Sequence, residues 1–459
     1  MNVAMPARRL AIKSLALLAA TLASGAAIAQ TPAAAPNDQL YARAIAAGYK
    51  AAMICGGVFN AGRSPAAIEA LELRGIYPEY AALAPTLAAT VDRAAASVSV
   101  PFAADLPPRR ATWRRGIGCV LTPIGAAPAP IAAAVPPTIA GADPRPWPLG
   151  DANIGPVPLP ALANVVARAF SDYGRDSQTT GVVVLRNGKI VAERYRDDFG
   201  PFVANRTWSV AKSITGTLVG RSGINPQRRS TIPEWYSSDP RRAITLDNLL
   251  RMSSGLHSDT AGNRTDAVYF GGTAVTEQAT ASPLEAKPGT RFRYANNDIL
   301  LAMRSLRASL GDAKASVLPQ RLFTTLGMTH TVAQRDWRGN YILSSDVWST
   351  ARDLARLGQF WLQDGVWQGK RLLPGGWMRY MTMPSGPQPN RGEGYGATMW
   401  LFGAKQGLPA GSYAAQGNRG QYVMVIPSAK LVVVRRGEDP AGSRFDIARF
   451  TADVLAASR

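Results

Sequence analysis

The sequence predicts an α+β fold: one antiparallel sheet, built from the two ends of a C-terminal domain and sealed by terminal helices. Three observations carry this. Val182-Val183-Val184-Leu185 and Ile190 to Tyr195 flank Arg186-Asn187-Gly188-Lys189. Asn-Gly between apolar runs is a strong hairpin signal. The chain closes with two more apolar stretches, Tyr422 to Ile426 and Leu431 to Val434, around a Pro427-Ser428-Ala429 turn. Between these ends lies a long, mostly helical and loop-rich middle.

The parts follow in chain order. Arg8, Arg9 and Lys13 form a positive leader, followed by an apolar run from Ser14 to Ile28. Ala27-Ile28-Ala29 fits the small-x-small cleavage rule, so residues 1–29 read as a secretory signal. The run is too short for a comfortable membrane span. A periplasmic or secreted protein is expected, with no stable span once the signal is cut. Residues 37–122 read as mostly helical, led by the Ala-rich stretch Leu40 to Ile54 and continued by Ile68 to Leu73. Residues 123–160 are a Pro/Ala-rich linker or a packed strap; Pro136-Pro137 and the prolines from Pro144 to Pro148 prevent regular helix. The main domain covers 161–459. It opens with a helix over about Leu159 to Tyr173 and ends with one over about Arg444 to Ala456. Cys55 and Cys119 are the two cysteines. Export favours their pairing, and neither sits in a metal-ligand pattern.

The 459 residues are 46% hydrophobic, enough for a sizeable core, and carry a formal net charge of +20. Such an excess suits a solvated basic surface, or anionic partners such as cell-wall polymers. No basic tract with interleaved aromatics points to nucleic acid.

The chemistry centres on Thr207-Trp208-Ser209-Val210-Ala211-Lys212, which runs into an apolar helix. Lys212 is i+3 from Ser209, so both share one helix face. A serine hydroxyl needs an adjacent base. A buried lysine can lose its proton near neutrality, or stay charged and lower a nearby tyrosine's pKa. Either route puts a base beside Ser209. Pro288-Gly289 then makes a turn, and a short extended piece is expected to present Tyr294 and Asn296 to one side. A tyrosine can relay a proton; an amide can hold Lys212 or a substrate carbonyl. Gln416-Gly417-Asn418-Arg419-Gly420-Gln421 leads into the last strands, where glycine lets a substrate backbone approach.

With these three motifs in order, the sequence resembles the serine β-lactamase and penicillin-binding superfamily, whose signature is S-x-x-K. The Tyr294-Ala295-Asn296 form points to its class C-like branch, with esterases and 6-aminohexanoate-dimer hydrolases. Leu249 to Leu256, Ser349 to Gly358 and Asp364 to Pro374 are similar to family stretches. The resemblance implies a β-lactamase/transpeptidase-like fold with an all-helical subdomain inserted. It implies an acyl-enzyme on Ser209, base and acid roles shared by Lys212 and Tyr294, and Asn296 orienting Lys212 or substrate. It also implies an oxyanion hole from the Ser209 N–H and one near Asn418. No cofactor or metal is implied. The third motif departs from K-T-G: Ala415-Gln416-Gly417 has no cation at its first position, unless Arg419 compensates. The expected substrate is therefore a small ester or linear amide. The alternatives are a β-lactamase or D,D-peptidase, or a weakly catalytic cell-wall or penicillin-binding protein.

A Ser-His-Asp triad would need His257 or His330, the two histidines present. No G-x-S-x-G elbow surrounds Ser209. Trp208, Tyr269, Gly417 and Asn418 are the remaining candidate substrate contacts, with Tyr269 in a lid-like loop from Ser258 to Gly272.

Overall fold

The computed structural model describes residues 36–128, 141–155, 159–258 and 266–458. The leader, the Pro136-Pro137 step and the middle of the 258–272 loop lie outside them. Helix α1 (Pro36–Cys55) buries its Ile45, Tyr49 and Met53 side chains. It packs on a four-stranded antiparallel sheet in chain order: β1 (Thr90–Asp92), β2 (Ser97–Val100), β3 (Arg109–Arg114) and β4 (Gly118–Leu121). Pro65–Ala70 and Pro78–Ala81 are also helical, and the sheet is an element that the expectation for 37–122 did not include. The strands are only three to six residues long, so even the alternation of Ser97-Val98-Ser99-Val100 in β2 is too short to stand out. Cys55 and Cys119 are joined, Cα atoms 6.0 Å apart, which ties the end of α1 to β4. Closing a loop of 64 residues contributes about 4 kcal/mol on chain entropy.

Residues 141–155 form a packed strap. Trp147 Nε1 donates to the Gly188 carbonyl at 2.9 Å, and Arg356 donates to the carbonyls of Pro148 and Gly150.

The main domain begins with α2 (Pro160–Arg168), the hairpin β5 (Thr179–Arg186) and β6 (Lys189–Tyr195), then β7 (Asn205–Arg206) and α3 (Val210–Ser222). The helical middle includes α4 (Asp266–Gly271) and α5 (Asn296–Leu310). Then come β8 (Val347–Ser349), which pairs with β7, and α6 (Ala351–Leu362). The end is β9 (Gly394–Tyr395), β10 (Trp400–Phe402), β11 (Ser412–Gly417), β12 (Gln421–Ile426), β13 (Leu431–Gly437) and α7 (Ile447–Ala457). The seven-stranded sheet runs β9-β10-β11-β12-β13-β5-β6, antiparallel throughout. It therefore joins both ends of the domain, as the sequence predicts.

The sheet divides the core. Val183, Leu185, Val423 and Val434 face α3 and α6. Val182, Val184, Met424 and Val433 face α2 and α7. Burial on both faces explains why these strands read as unbroken apolar runs.

Candidate active site

The pairing of β7 with β8 delivers Thr207, Trp208 and Ser209 to the start of α3. Trp208 has φ +50°, a left-handed backbone that a bulky residue keeps only when its surroundings impose it. Its indole is buried, with the Arg206 guanidinium 4.1 Å over the ring. Ser209 caps the helix by position, yet its side chain makes no capping bond. α3 is buried from Val210 to Gly220, so the i+3 lysine is drawn inward with it.

Lys212 is 1% exposed. Its Nζ donates to Ser209 Oγ at 3.0 Å, to the Ser344 carbonyl at 2.8 Å and to Asn296 Oδ1. Burial alone pushes its pKa down to about 7, because every one of these acceptors is neutral. The Tyr294 hydroxyl lies beside Ser209, and its ring centroid is 5.0 Å from Lys212 Nζ. Burial pushes that hydroxyl well up, more than the neighbouring Ser209 lowers it, so Tyr294 remains a phenol at neutral pH. Of the two routes open from sequence, the electrostatics favour a neutral lysine over a tyrosinate.

Asn296 stands on the first turn of α5, after the extended Ala295. The pair was expected on one extended piece. The helix instead starts at Asn296 and turns its amide onto Lys212. Tyr269 is buried and its hydroxyl meets Ser344 Oγ, the residue whose carbonyl accepts from Lys212. Ser344 was not anticipated. A backbone carbonyl carries no residue-type signal, and 132 positions separate it from Lys212. Trp208 lies in the core rather than on an open wall.

Gly417 ends β11 against the nucleophile. A Cβ there would sit 2.3 Å from the Thr207 carbonyl and 3.1 Å from the Ser209 backbone N. Only glycine permits this approach. Strand alternation puts Ala415 on the same face as Gly417, so the position of the missing cation holds a buried methyl group. Asn418 is exposed in the following turn and donates to the Tyr77 hydroxyl at 3.2 Å. Arg419 neither compensates for the cation nor lies in solvent. It is buried, with Nε 2.7 Å from Glu438 Oε2 and its other nitrogens on backbone carbonyls.

The histidines are engaged elsewhere. His257 Nδ1 pairs with Glu285 Oε1 on the surface. His330 stacks on Phe202 and bonds the Gly141 carbonyl through Nε2. The group around Ser209 is thus a Ser-Lys-Tyr set: a hydroxyl, a base able to be neutral near pH 7 and a protonated phenol. This suits acyl transfer.

Residues 166–456 match the beta-lactamase family model. A 6-aminohexanoate-dimer hydrolase of Paenarthrobacter ureafaciens is 27% identical over 296 residues, 57% of this chain and 73% of that protein. A provisionally assigned 6-aminohexanoate-dimer hydrolase of Bacillus anthracis superposes with a TM-score of 0.52 at 22% identity, covering 63% of this chain and 80% of that one. A penicillin-binding protein homologue of Caulobacter crescentus gives a TM-score of 0.50 at 16% identity, with 66% and 98% covered. The two structures share the fold.

Proposed function

Because this chain belongs to the beta-lactamase family and is a serine hydrolase, we propose that it is exported and forms an acyl-enzyme on Ser209 from a small linear amide or ester. The observation that carries this is Lys212 Nζ, 3.0 Å from Ser209 Oγ in a site whose burial favours the neutral amine.

Ser209 Oγ attacks the substrate carbonyl and its proton passes to Lys212 Nζ. The oxyanion is held by the Ser209 N–H and a second N–H at the free end of β11, beyond its pairing with β10 at Ala414. The carbon–nitrogen or carbon–oxygen bond then breaks. The proton returns from Lys212 through the Tyr294 hydroxyl to the leaving group. Water, deprotonated by the same pair, attacks the acyl carbon, releases the acid and restores Ser209. Asn296 and the Ser344 carbonyl hold the amine in line throughout.

Two observations support a linear amide or ester over a penicillin. The Paenarthrobacter relative is a 6-aminohexanoate-dimer hydrolase, and Ala415 leaves no cation at the first position of the third motif. The leader sequence and the Cys55–Cys119 bridge support export. The test compares hydrolysis of p-nitrophenyl butyrate, a 6-aminohexanoate dimer and nitrocefin by the wild type and Ser209→Ala. Turnover of an ester or the dimer, lost in Ser209→Ala, is expected. Equal rates in both proteins contradict the acyl-enzyme, and nitrocefin as the fastest substrate contradicts the substrate class.

A further inference from the structure

We propose that residues 36–122, which precede the family match, are part of the catalytic apparatus, with Arg109 and Arg419 as positioning residues that clamp the two walls of the Ser209 pocket. The inference rests on the acyl-enzyme reading above.

The first clamp acts on the lysine wall. Arg109 on β3 is fully buried, and its Nη2 donates to the Phe270 carbonyl at 2.9 Å. Its Nε and Nη1 have no hydrogen-bond partner, and no carboxylate pairs with it among the described residues. A guanidinium held this way is costly, so stability alone gives little reason for it. From the other side, α1 comes so close that a Cβ on Gly48 would lie 2.0 Å from the same Phe270 carbonyl. The Tyr49 ring is 4.6 Å from the Phe270 ring. The clamped residue is next to Tyr269, whose hydroxyl meets Ser344 Oγ, and the Ser344 carbonyl accepts from Lys212 at 2.8 Å. The N-terminal unit thereby holds shut the wall that keeps Lys212 from water.

The second clamp acts on the oxyanion wall. Arg419 donates to the carbonyls of Leu71 at 3.0 Å, Arg74 at 3.0 Å and Gly75 at 3.3 Å. It also binds Glu438, whose other oxygen accepts from Asn205 Nδ2 at 3.1 Å. Asn205 opens the segment that ends at Ser209. Gly417, two residues before Arg419, lies against the Thr207 carbonyl and the Ser209 backbone N. Three carbonyls of the N-terminal unit therefore help to fix the gap between the end of β11 and the Ser209 N–H. A gap error of about 1 Å can cost a hundredfold in rate.

The two clamps have different kinetic signatures. Loosening the first lets water reach Lys212, which lifts its pKa toward that of a free lysine. Loosening the second leaves Lys212 alone. The experiment uses the full-length protein and p-nitrophenyl butyrate, assayed well below each variant's Tm. Arg109→Met is expected to lower kcat about tenfold or more, with KM nearly unchanged, and to move the acid limb of the kcat profile up by about one pH unit. Arg109→Lys, which keeps one donor, restores most of both. Arg419→Lys is expected to lower kcat with the limb unmoved. If Arg109→Met does not fold, Gly48→Ala, which displaces the Phe270 carbonyl, gives the same limb shift. A folded Arg109→Met or Gly48→Ala that loses only Tm, with kcat and limb unchanged, overturns the proposal. So does an Arg109→Lys no better than Arg109→Met. Ser209→Ala separates the two levels. Lost activity there with unmoved Arg109 and Gly48 variants overturns the clamp alone; retained activity overturns the acyl-enzyme and the clamp together.

Discussion

Two buried cations lie on either side of Ser209, and they have opposite fates. Lys212 is surrounded by neutral acceptors: a hydroxyl, an amide oxygen and a backbone carbonyl. Burial is unopposed, and its pKa falls to about 7. Arg419 is nearly as buried, and burial works against its charge too. Glu438 beside it, helped by Tyr49 and Glu72, more than offsets this and holds it above the ordinary arginine value. The difference teaches that depth does not separate a chemical cation from a structural one. For Lys212, neutral acceptors leave a proton that can move; for Arg419, whose guanidinium keeps its proton in any case, the carboxylate steadies the charge and builds a frame.

Four substitutions break or sharpen that contrast. Lys212→Arg keeps the charge and removes the ability to lose it, since a guanidinium does not deprotonate near neutral pH. Ester hydrolysis is expected to fall on the order of 10^4-fold, the scale set by removing a proton-transfer partner, while the circular dichroism spectrum stays native. Glu438→Gln converts the frame's cation to the site's situation. It strands Arg419 and is expected to cost about 3 kcal/mol of stability in a urea titration, with kcat in the folded fraction less affected than by Lys212→Arg. Gly417→Ala tests the junction between the two regions. Its methyl would press on the Thr207 carbonyl and the Ser209 N–H. A loss of about 10^2-fold in kcat is expected, the value of one oxyanion donor. Asn418→Ala, exposed and bonded through Nδ2 to the Tyr77 hydroxyl and through Oδ1 to the Arg419 N–H, should move stability by only about 0.5 kcal/mol.

Much of the frame was legible because its strands are buried on both faces. Val182 to Leu185, Tyr422 to Ile426 and Leu431 to Val434 state their role in composition alone, and Asn187-Gly188 fixes the hairpin between β5 and β6. Ser209 and Lys212 were placed on one face by helix periodicity, and Tyr294 was joined to them by the resemblance of its Tyr-Ala-Asn motif to the family's. What failed was local sequence reading of long-range contacts. Arg419 looks like a surface arginine until Glu438 and three carbonyls from residues 71–75 surround it. Asn296 looks extended after Tyr294 until α5 starts at its position. The sheet at 90–121 was missed because its strands are short, and the four residues of Ser97-Val98-Ser99-Val100 are too few for their alternation to stand out.

The most direct test of the neutral-lysine base is the pH dependence of Ser209 acylation by a fluorophosphonate, read as a second-order labelling rate from pH 5 to 9. Below its pKa Lys212 is protonated and cannot take the serine proton; above it the free amine can. The rate is therefore expected to rise with pH through a single limb near pH 7 in the wild type, and to lose that limb in Lys212→Met. A wild-type rate that is flat across this range, or that peaks on the acid side, would contradict the assignment.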